Sequence, residues 1–479
     1  MHPDTAPGAN AMGRPPMRAI GAAVLVLACW HLDRAWAQDA PPARPAIMFN
    51  RWQEDWSVLA DPRVPREPLD ALKYIPLSAT DPETYLSFGA TIRERFESNS
   101  AAQFGTSGNR SQNYVISRTE LHADLHLGQH VEGFLQLQSD FAPGKTQLVP
   151  VDRNRADIEQ AFVVVTEPAG DGTLKLRLGR QQFAFDLQRF VSVRDGPNVR
   201  QSYDAAWADY ETWPWRFIGF YSQPVQTRDR RAFDDFSNGH LTFSVLRVER
   251  RLTQAISLSA YYSHYTQDGA RYLSVTGNER RENFDVHLDG TVAGFDWDVE
   301  GMGQFGRISN EDIEAWGMGS LGGYTFANLP LTPRLGLQID AASGDSNPHD
   351  RTLGTFNPLF PNGAYVTLAG YTGYTNFVQV KPSVTIHPFE GTKLMFAAAP
   401  QWRESTADAV YTQPNIPVRN TAGRGDLYTG TYGQVRLDWA VSRSTAFAVE
   451  AVHFQVGDTI RRAGGHNSDY AGVEIKYGW

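Results

Sequence analysis

The sequence predicts an all-β protein: a transmembrane antiparallel β-barrel of about 18 strands with short periplasmic turns and long extracellular loops. Three observations carry this expectation. Apolar residues alternate with polar ones in run after run, the period-two pattern of a strand with one oily and one wet face. The connections between these runs alternate between short and long. Beyond the N-terminal segment no stretch approaches the length of a membrane helix, so a secreted chain that spans a membrane must do so as a closed barrel. Composition agrees, because 26 Phe, 19 Tyr and 12 Trp with 42 Gly accompany a mean hydropathy of -0.40, as in a wall that is apolar on one side only. A large soluble all-β protein is the alternative left open at this point.

The elements follow in order. Arg14 and Arg18 precede the apolar run Ala19 to Cys29, and Ala35-Trp36-Ala37 offers a small-x-small cleavage site before Gln38. Residues 1–37 therefore read as a secretory signal peptide, with Met12 and Met17 as alternative starts. A lipoprotein signal ending at Cys29 competes, but it places bulky Leu27 where a small residue is wanted. Cys29 is the only cysteine, so a chain cleaved after Ala37 has neither disulfide nor thiol chemistry. The net charge of -9 becomes slightly more negative without the signal, so overall charge gives no support to an anionic ligand. Only local placement of arginine can do that.

Residues 38–83 are rich in proline and lack alternation, which predicts a periplasmic N-terminal lead-in with Trp52, Trp56, Tyr74 and Ile75 as packing residues. Residues 84–479 form the barrel. Its first nine strands are expected at 84–97, 113–127, 131–141, 157–166, 174–186, 201–211, 216–223, 239–250 and 256–266. The other nine fall at 282–292, 296–306, 312–327, 334–342, 373–387, 392–404, 426–441, 445–455 and 467–479. Nearly all meet the roughly 9–11 residues that a tilted strand needs to cross a bilayer, 216–223 being the weak one.

The faces agree with a wall between lipid and water. Leu121, Ala123, Leu125 and Leu127 oppose Glu120, His122, Asp124 and His126, and Phe284, Val286 and Leu288 oppose Asp285, His287 and Asp289. The final run sets Val473, Ile475, Tyr477 and Trp479 against Glu474, Lys476 and Gly478, a terminal strand of the kind read by the barrel-insertion machinery. Short links such as 128–130, 251–255 and 442–444 alternate with long ones such as 98–112, 142–156, 187–200, 224–238, 267–281, 343–372 and 405–425, and only the short 307–311 link breaks the beat. Eighteen strands imply an aqueous lumen instead of a packed core. The apolar content of the 343–372 connection predicts that it packs, either in the lumen as a constriction or over the mouth as a lid.

Motifs for chemistry are weak. The run Gly317-Met318-Gly319-Ser320-Leu321-Gly322 has dinucleotide-loop spacing but lies inside a strand with no helix after it, so it reads as small residues in a wall. Gly144-Lys145-Thr146 lacks the glycine a phosphate loop needs, since Ser139 stands there. Asp340, Asp345 and Asp350 read as loop structure in preference to a calcium site. Neither a hydrolase nor a zinc motif occurs, so neither catalysis, a cofactor nor a nucleic-acid partner is expected.

The functional signal is basic. Arg93, Arg95, Arg118, Lys175 and Arg177 face inward by parity, and Arg153, Arg155, Arg189, Arg194 and Arg200 lie on neighbouring outer loops, the last three placed at the extracellular mouth and upper lumen. Rings of Arg and Lys select anions, because a guanidinium pairs both oxygens of a carboxylate in a confined pore. Inward Glu97, Glu120, Asp157, Asp296, Asp298 and Glu300 are mixed with them.

The lead-in EDWSVL and KYIPL, the segment LGRQQFAFDLQRFVSVRDGPNVRQSYD, and ASGD followed by TFNPLFP together resemble the alginate export family of bacterial outer-membrane proteins. The likeness covers nearly the whole mature chain. It implies an 18-stranded barrel with a basic, gated lumen that passes an anionic polyuronate out of the periplasm. Gly179, Arg180, Gln181, Arg189, Arg194, Asp195, Gly196, Pro197, Asn198 and Arg200 carry the match. The expectation is thus an outer-membrane channel for an acidic polysaccharide or smaller anionic sugars, with a general porin as the alternative and a barrel enzyme or adhesin behind it. Expected partners are outer-membrane lipid and the anionic saccharide, and the oligomeric state is left open.

Overall fold

The computed structural model describes residues 43–106, 108 and 111–479, so the signal-peptide reading of 1–37 lies outside the described residues. From Tyr85 onward the chain is a closed antiparallel barrel of 18 strands. They are β1 Tyr85–Asn99, β2 Gln112–Leu127, β3 Val131–Phe141, β4 Asn154–Ala169, β5 Gly172–Gln181 and β6 Tyr203–Thr212. Next come β7 Trp215–Gln226, β8 Leu241–Arg251, β9 Ile256–Arg271, β10 Thr276–Val292, β11 Phe295–Ile308 and β12 Glu311–Thr325. The last six are β13 Arg334–Ala342, β14 Phe377–Ile386, β15 Thr392–Trp402, β16 Tyr428–Ala440, β17 Thr445–Val456 and β18 Ser468–Gly478. Each pairs with its chain neighbours, and β18 returns to β1 from Gly478 opposite Thr91 to Tyr470 opposite Asn99. Closure leaves no exposed edge to pair with other chains.

All 18 expected strands are present, and the differences lie at their ends. The weak 216–223 run is part of the full-length β7. The 267–281 link is not a long loop, because β9 and β10 extend through it and leave only residues 272–275 as the turn. The fifth strand stops at Gln181 instead of 186, since the chain there leaves the wall and turns inward.

Alternation sorts the wall as expected. On β1, Phe88, Ile92 and Phe96 are exposed on the outer face while Ser87, Arg93 and Arg95 are buried inside. The lumen departs from the aqueous tube that strand number implied. The β5–β6 loop, residues 182–202, and the β13–β14 loop, residues 343–376, fold into it. Their Phe183, Phe185, Phe190, Phe356 and Phe360 pack with Phe220, Phe243, Tyr261 and Tyr265 of the wall. Each side chain of this size gains about 1.5–3 kcal/mol on burial, enough to hold a loop in a wide barrel. The two loops also join through their backbones, since Ser192 N–H donates to the Phe360 carbonyl and Phe360 N–H to that of Phe190, both at 2.9 Å.

The segment before β1 enters the end that carries the short turns. Arg51, buried there, donates to the Trp479 carbonyl at 2.6 Å and to that of Ala90 at 3.1 Å. Trp56 is buried with Leu59, Val64 and Tyr85, and the half-buried Trp52 packs its ring edge on Phe162. Tyr74 and Ile75 are half-buried, Tyr74 against the same cluster.

Candidate functional site

The lumen holds a cationic row at mid-wall. Lys476 of β18 is opposite Arg93 of β1, and Arg93 is opposite Arg118 of β2, so three cations stand side by side on the inner face. Like charges directly opposite each other repel. The loop of 182–202 resolves this by lowering Asp195 onto them. Its carboxylate lies 2.5 Å from Arg118 Nη1, 2.7 Å from Arg200 Nε and 3.7 Å from Lys476 Nζ. Arg93 donates to the Asp195 carbonyl at 2.9 Å, and Arg118 donates to the carbonyls of Pro197 and Asn198, both at 2.7 Å. The turn residues Asp195 to Asn198 thus dock on the wall and do not project outward.

The other arm of the loop crosses the lumen. Arg189 is completely buried and pairs with Asp298 at 2.7 Å and Glu300 at 2.8 Å on β11. Asp186 is held by Arg247 of β8 and by His287 of β10. Asp186, Gln188 and Arg194 have positive φ, a costly backbone state for these residues that only surrounding contacts sustain. Arg194 donates to the Leu359 carbonyl at 3.2 Å and lies over the Phe360 ring, tying one inward loop to the other. Below them a cavity of about 740 Å³ at the short-turn end reaches Glu474 and Lys476, at the edge of the row.

The sequence model of the family described as Alginate export matches residues 84–474, almost the whole barrel. The chain belongs to the alginate export family. Among solved structures, OccAB1 of Acinetobacter baumannii is 10% identical with a TM-score of 0.57, covering 86% of this chain and 99% of its own. OccK11 (OpdR) of Pseudomonas aeruginosa is 10% identical with a TM-score of 0.52, covering 84% and 99%. The outer membrane protein opdK from the same organism is 10% identical with a TM-score of 0.53, covering 82% and 98%. No curated protein matches the chain. This alginate export family member is a β-barrel of the bacterial outer membrane, and its family and fold are those of transport channels, not of enzymes.

The structure of this family member sorts the remaining candidate residues. Arg95 is on the inner face, 2.8 Å from Glu97 and in contact with Glu450 and Tyr470. Arg177 faces inward among the rings of Trp52, Phe162 and Trp207, about 5 Å from each centroid, a cation–π cage that joins the N-terminal segment to the wall. Lys175 is exposed one inward position nearer the short turns. Arg153 and Arg155 share Asp229 of the β7–β8 loop at the long-loop end, and Arg180 pairs with Asp204 at 3.0 Å. These three lie apart from the mid-wall row. Arg189, Arg194 and Arg200, expected at the extracellular mouth and upper lumen, lie within the lumen, because the apolar side chains beside them draw their loop into it.

Glu97, Glu120, Asp298 and Glu300 were legible as inward carboxylates, but not as the partners of Arg95, Arg200 and Arg189. Glu474 and Lys476 were visible by their inward parity, and Glu474 receives Arg93 at 2.7 Å. Lys381 of β14 is buried and donates to the Tyr365 and Val366 carbonyls of the second inward loop. Asp340 accepts from Tyr365 and Gln379, while the carboxylates of Asp345 and Asp350 accept the backbone N–H of Asn347 and Thr352. The glycine run of β12 has a spatial reason too: a Cβ on Gly317 would meet the Phe356 ring at 2.6 Å, and one on Gly319 would meet Arg189 Nε at 2.5 Å.

Proposed function

We propose that this channel passes an anionic polysaccharide, an alginate-like polyuronate, or smaller anionic sugars through a partly Arg- and Lys-lined lumen. The observation that supports it is a carboxylate already lodged on the row Lys476, Arg93, Arg118. Asp195 takes the contacts that a uronate carboxylate would take, with charge-assisted hydrogen bonds to two guanidinium groups. The β5–β6 loop is then an internal stand-in that a passing polymer displaces, and the arginines released from it become the anion path. Arg93, Arg95, Arg118, Lys175, Arg177, Arg189, Arg194 and Arg200 line this path, and Arg153, Arg155 and Arg180 attract the anion at the long-loop end.

The short-turn end faces the periplasm in this reading, and residues 38–83 are a periplasmic lead-in whose described part, from residue 43, stoppers that end of the barrel. Phe49 in that stopper lies 4.4 Å beneath the Arg200 guanidinium, so stopper and loop meet. A general porin is the second reading, favoured by the carboxylates Glu120, Glu450 and Glu474 that neutralise much of the basic lining.

The test is the reversal potential of purified protein in planar bilayers under a salt gradient, with oligouronates added. Anion preference and block by oligouronates at micromolar levels are expected. Cation preference would overturn the basic-path reading, and a conductance indifferent to oligouronates would favour the porin.

A further inference from the structure

A second charged cluster lies deeper in the lumen, away from the cationic row. Asp285 of β10 and Glu300 of β11 face inward, and Asp186 descends to them on the β5–β6 loop. One carboxylate oxygen from each lies within 4.8 Å of the others. A single ion with oxygen bonds of about 2.3–2.6 Å spans that spacing.

The cations around the cluster are already committed. Arg247 grips Asp186 through two hydrogen bonds of 2.6 and 2.8 Å. His287 lies 3.0 Å from Asp186 and 2.9 Å from Asp298, and Arg189 pairs with Asp298 and Glu300. Asp285 receives nothing from them. It is 2% exposed, and both of its carboxylate oxygens lack a hydrogen-bond partner among the described residues. Tyr261, its direct neighbour across the β9–β10 pair, is 4% exposed with an equally unpartnered hydroxyl.

A buried carboxylate without a donor or counter-charge is costly. Four carboxylates, Asp186, Asp285, Asp298 and Glu300, also outnumber Arg189, Arg247 and His287 even when the imidazole is charged. We propose that Asp186, Asp285 and Glu300, with the Tyr261 hydroxyl, hold a hard divalent cation of the calcium type. All its ligands are oxygen, as such an ion requires. A cavity of about 570 Å³ at the short-turn end is lined by Asp186, His287 and Asp298 and gives the ion a route in. Because Asp186 belongs to the loop and the other ligands to the wall, the ion pins the loop inside the barrel.

The test uses the full chain in detergent, stripped with a chelator and titrated with Ca²⁺ by calorimetry and thermal melting, then recorded in bilayers. Ca²⁺ is expected to bind, to raise the melting temperature by a few degrees and to lower conductance, with the chelator reversing all three. Asp285→Asn and Glu300→Gln, each confirmed as a folded barrel by heat-modifiable gel mobility, should lose the Ca²⁺ response. A wild-type chain indifferent to Ca²⁺ would overturn the proposal and leave a protonated acid at position 285. So would variants that keep the full response, which would place the ion elsewhere.

Discussion

The Asp195 carboxylate lies 2.5 Å from Nη1 of Arg118, a residue 77 positions earlier in the chain. This ion pair closes the β5–β6 loop onto the wall where Arg93 and Lys476 stand beside Arg118. One negative side chain offsets the repulsion within that row. Loop position and lumen charge are therefore coupled: when the loop leaves, the row keeps only wall carboxylates such as Glu474, 2.7 Å from Arg93, and when it docks, Asp195 adds a further counter-charge.

Asp195→Asn keeps the shape of the side chain and removes its charge. The row then loses the counter-charge that the loop brings and attracts soluble anions more strongly. Single-channel recording should show a larger conductance and block by oligouronates at about tenfold lower concentration, equivalent to about 1.4 kcal/mol. Unchanged conductance and block would mean that the loop does not control the anion path.

Gly319→Ala tests the opposite end of the same loop. A methyl group there would lie 2.5 Å from Arg189 Nε and 2.7 Å from Asp340 Oδ1, so the Arg189 side chain has to shift and its pairs with Asp298 and Glu300 are strained. Breaking a buried ion pair costs about 3–5 kcal/mol, so even its partial loss loosens the loop around Arg189. Hydrogen exchange of residues 182–202 should rise sharply while that of β11 and β12 stays slow. Equal protection in both proteins would show that Arg189 does not anchor the loop.

Period-two alternation made the wall legible, because each lipid-facing position must be apolar whatever its neighbours are. Parity therefore placed Arg93, Arg95 and Arg118 correctly on the inner face. The inward loops were harder. Phe183 and Phe185 continue the alternation of β5 past its end, so they read as strand although they pack inside the lumen. The turn Asp195-Gly196-Pro197-Asn198 has the composition of a surface loop, and its polar groups are met by Arg93 and Arg118, which no local pattern reveals. Pairs such as Arg95 with Glu474 depend on the closure of β18 onto β1. The glycines of β12 were legible as small residues but not as space cleared for Phe356 and Arg189.

The N-terminal stopper should respond to pH through Lys73. This side chain, in the short helix Asp70–Lys73, is 3% exposed and lies over the rings of Trp56 and Trp479 at 5.0 and 5.3 Å. Burial, with the nearby Arg51 charge, lowers its pKa from the ordinary 10.5 to about 7. The docked segment thus binds fewer protons than the released one between these two values, and docking strengthens as pH rises through that window. The slope is at most about 1.4 kcal/mol per pH unit, and below pH 7 the full cost of burying the ammonium remains. Proteolysis of residues 43–84 should accordingly slow as pH rises from about 7 to about 10. Lys73→Met should abolish that slope and resist cleavage better than the wild type at neutral pH. A variant that kept the wild-type slope would assign the titration to another group.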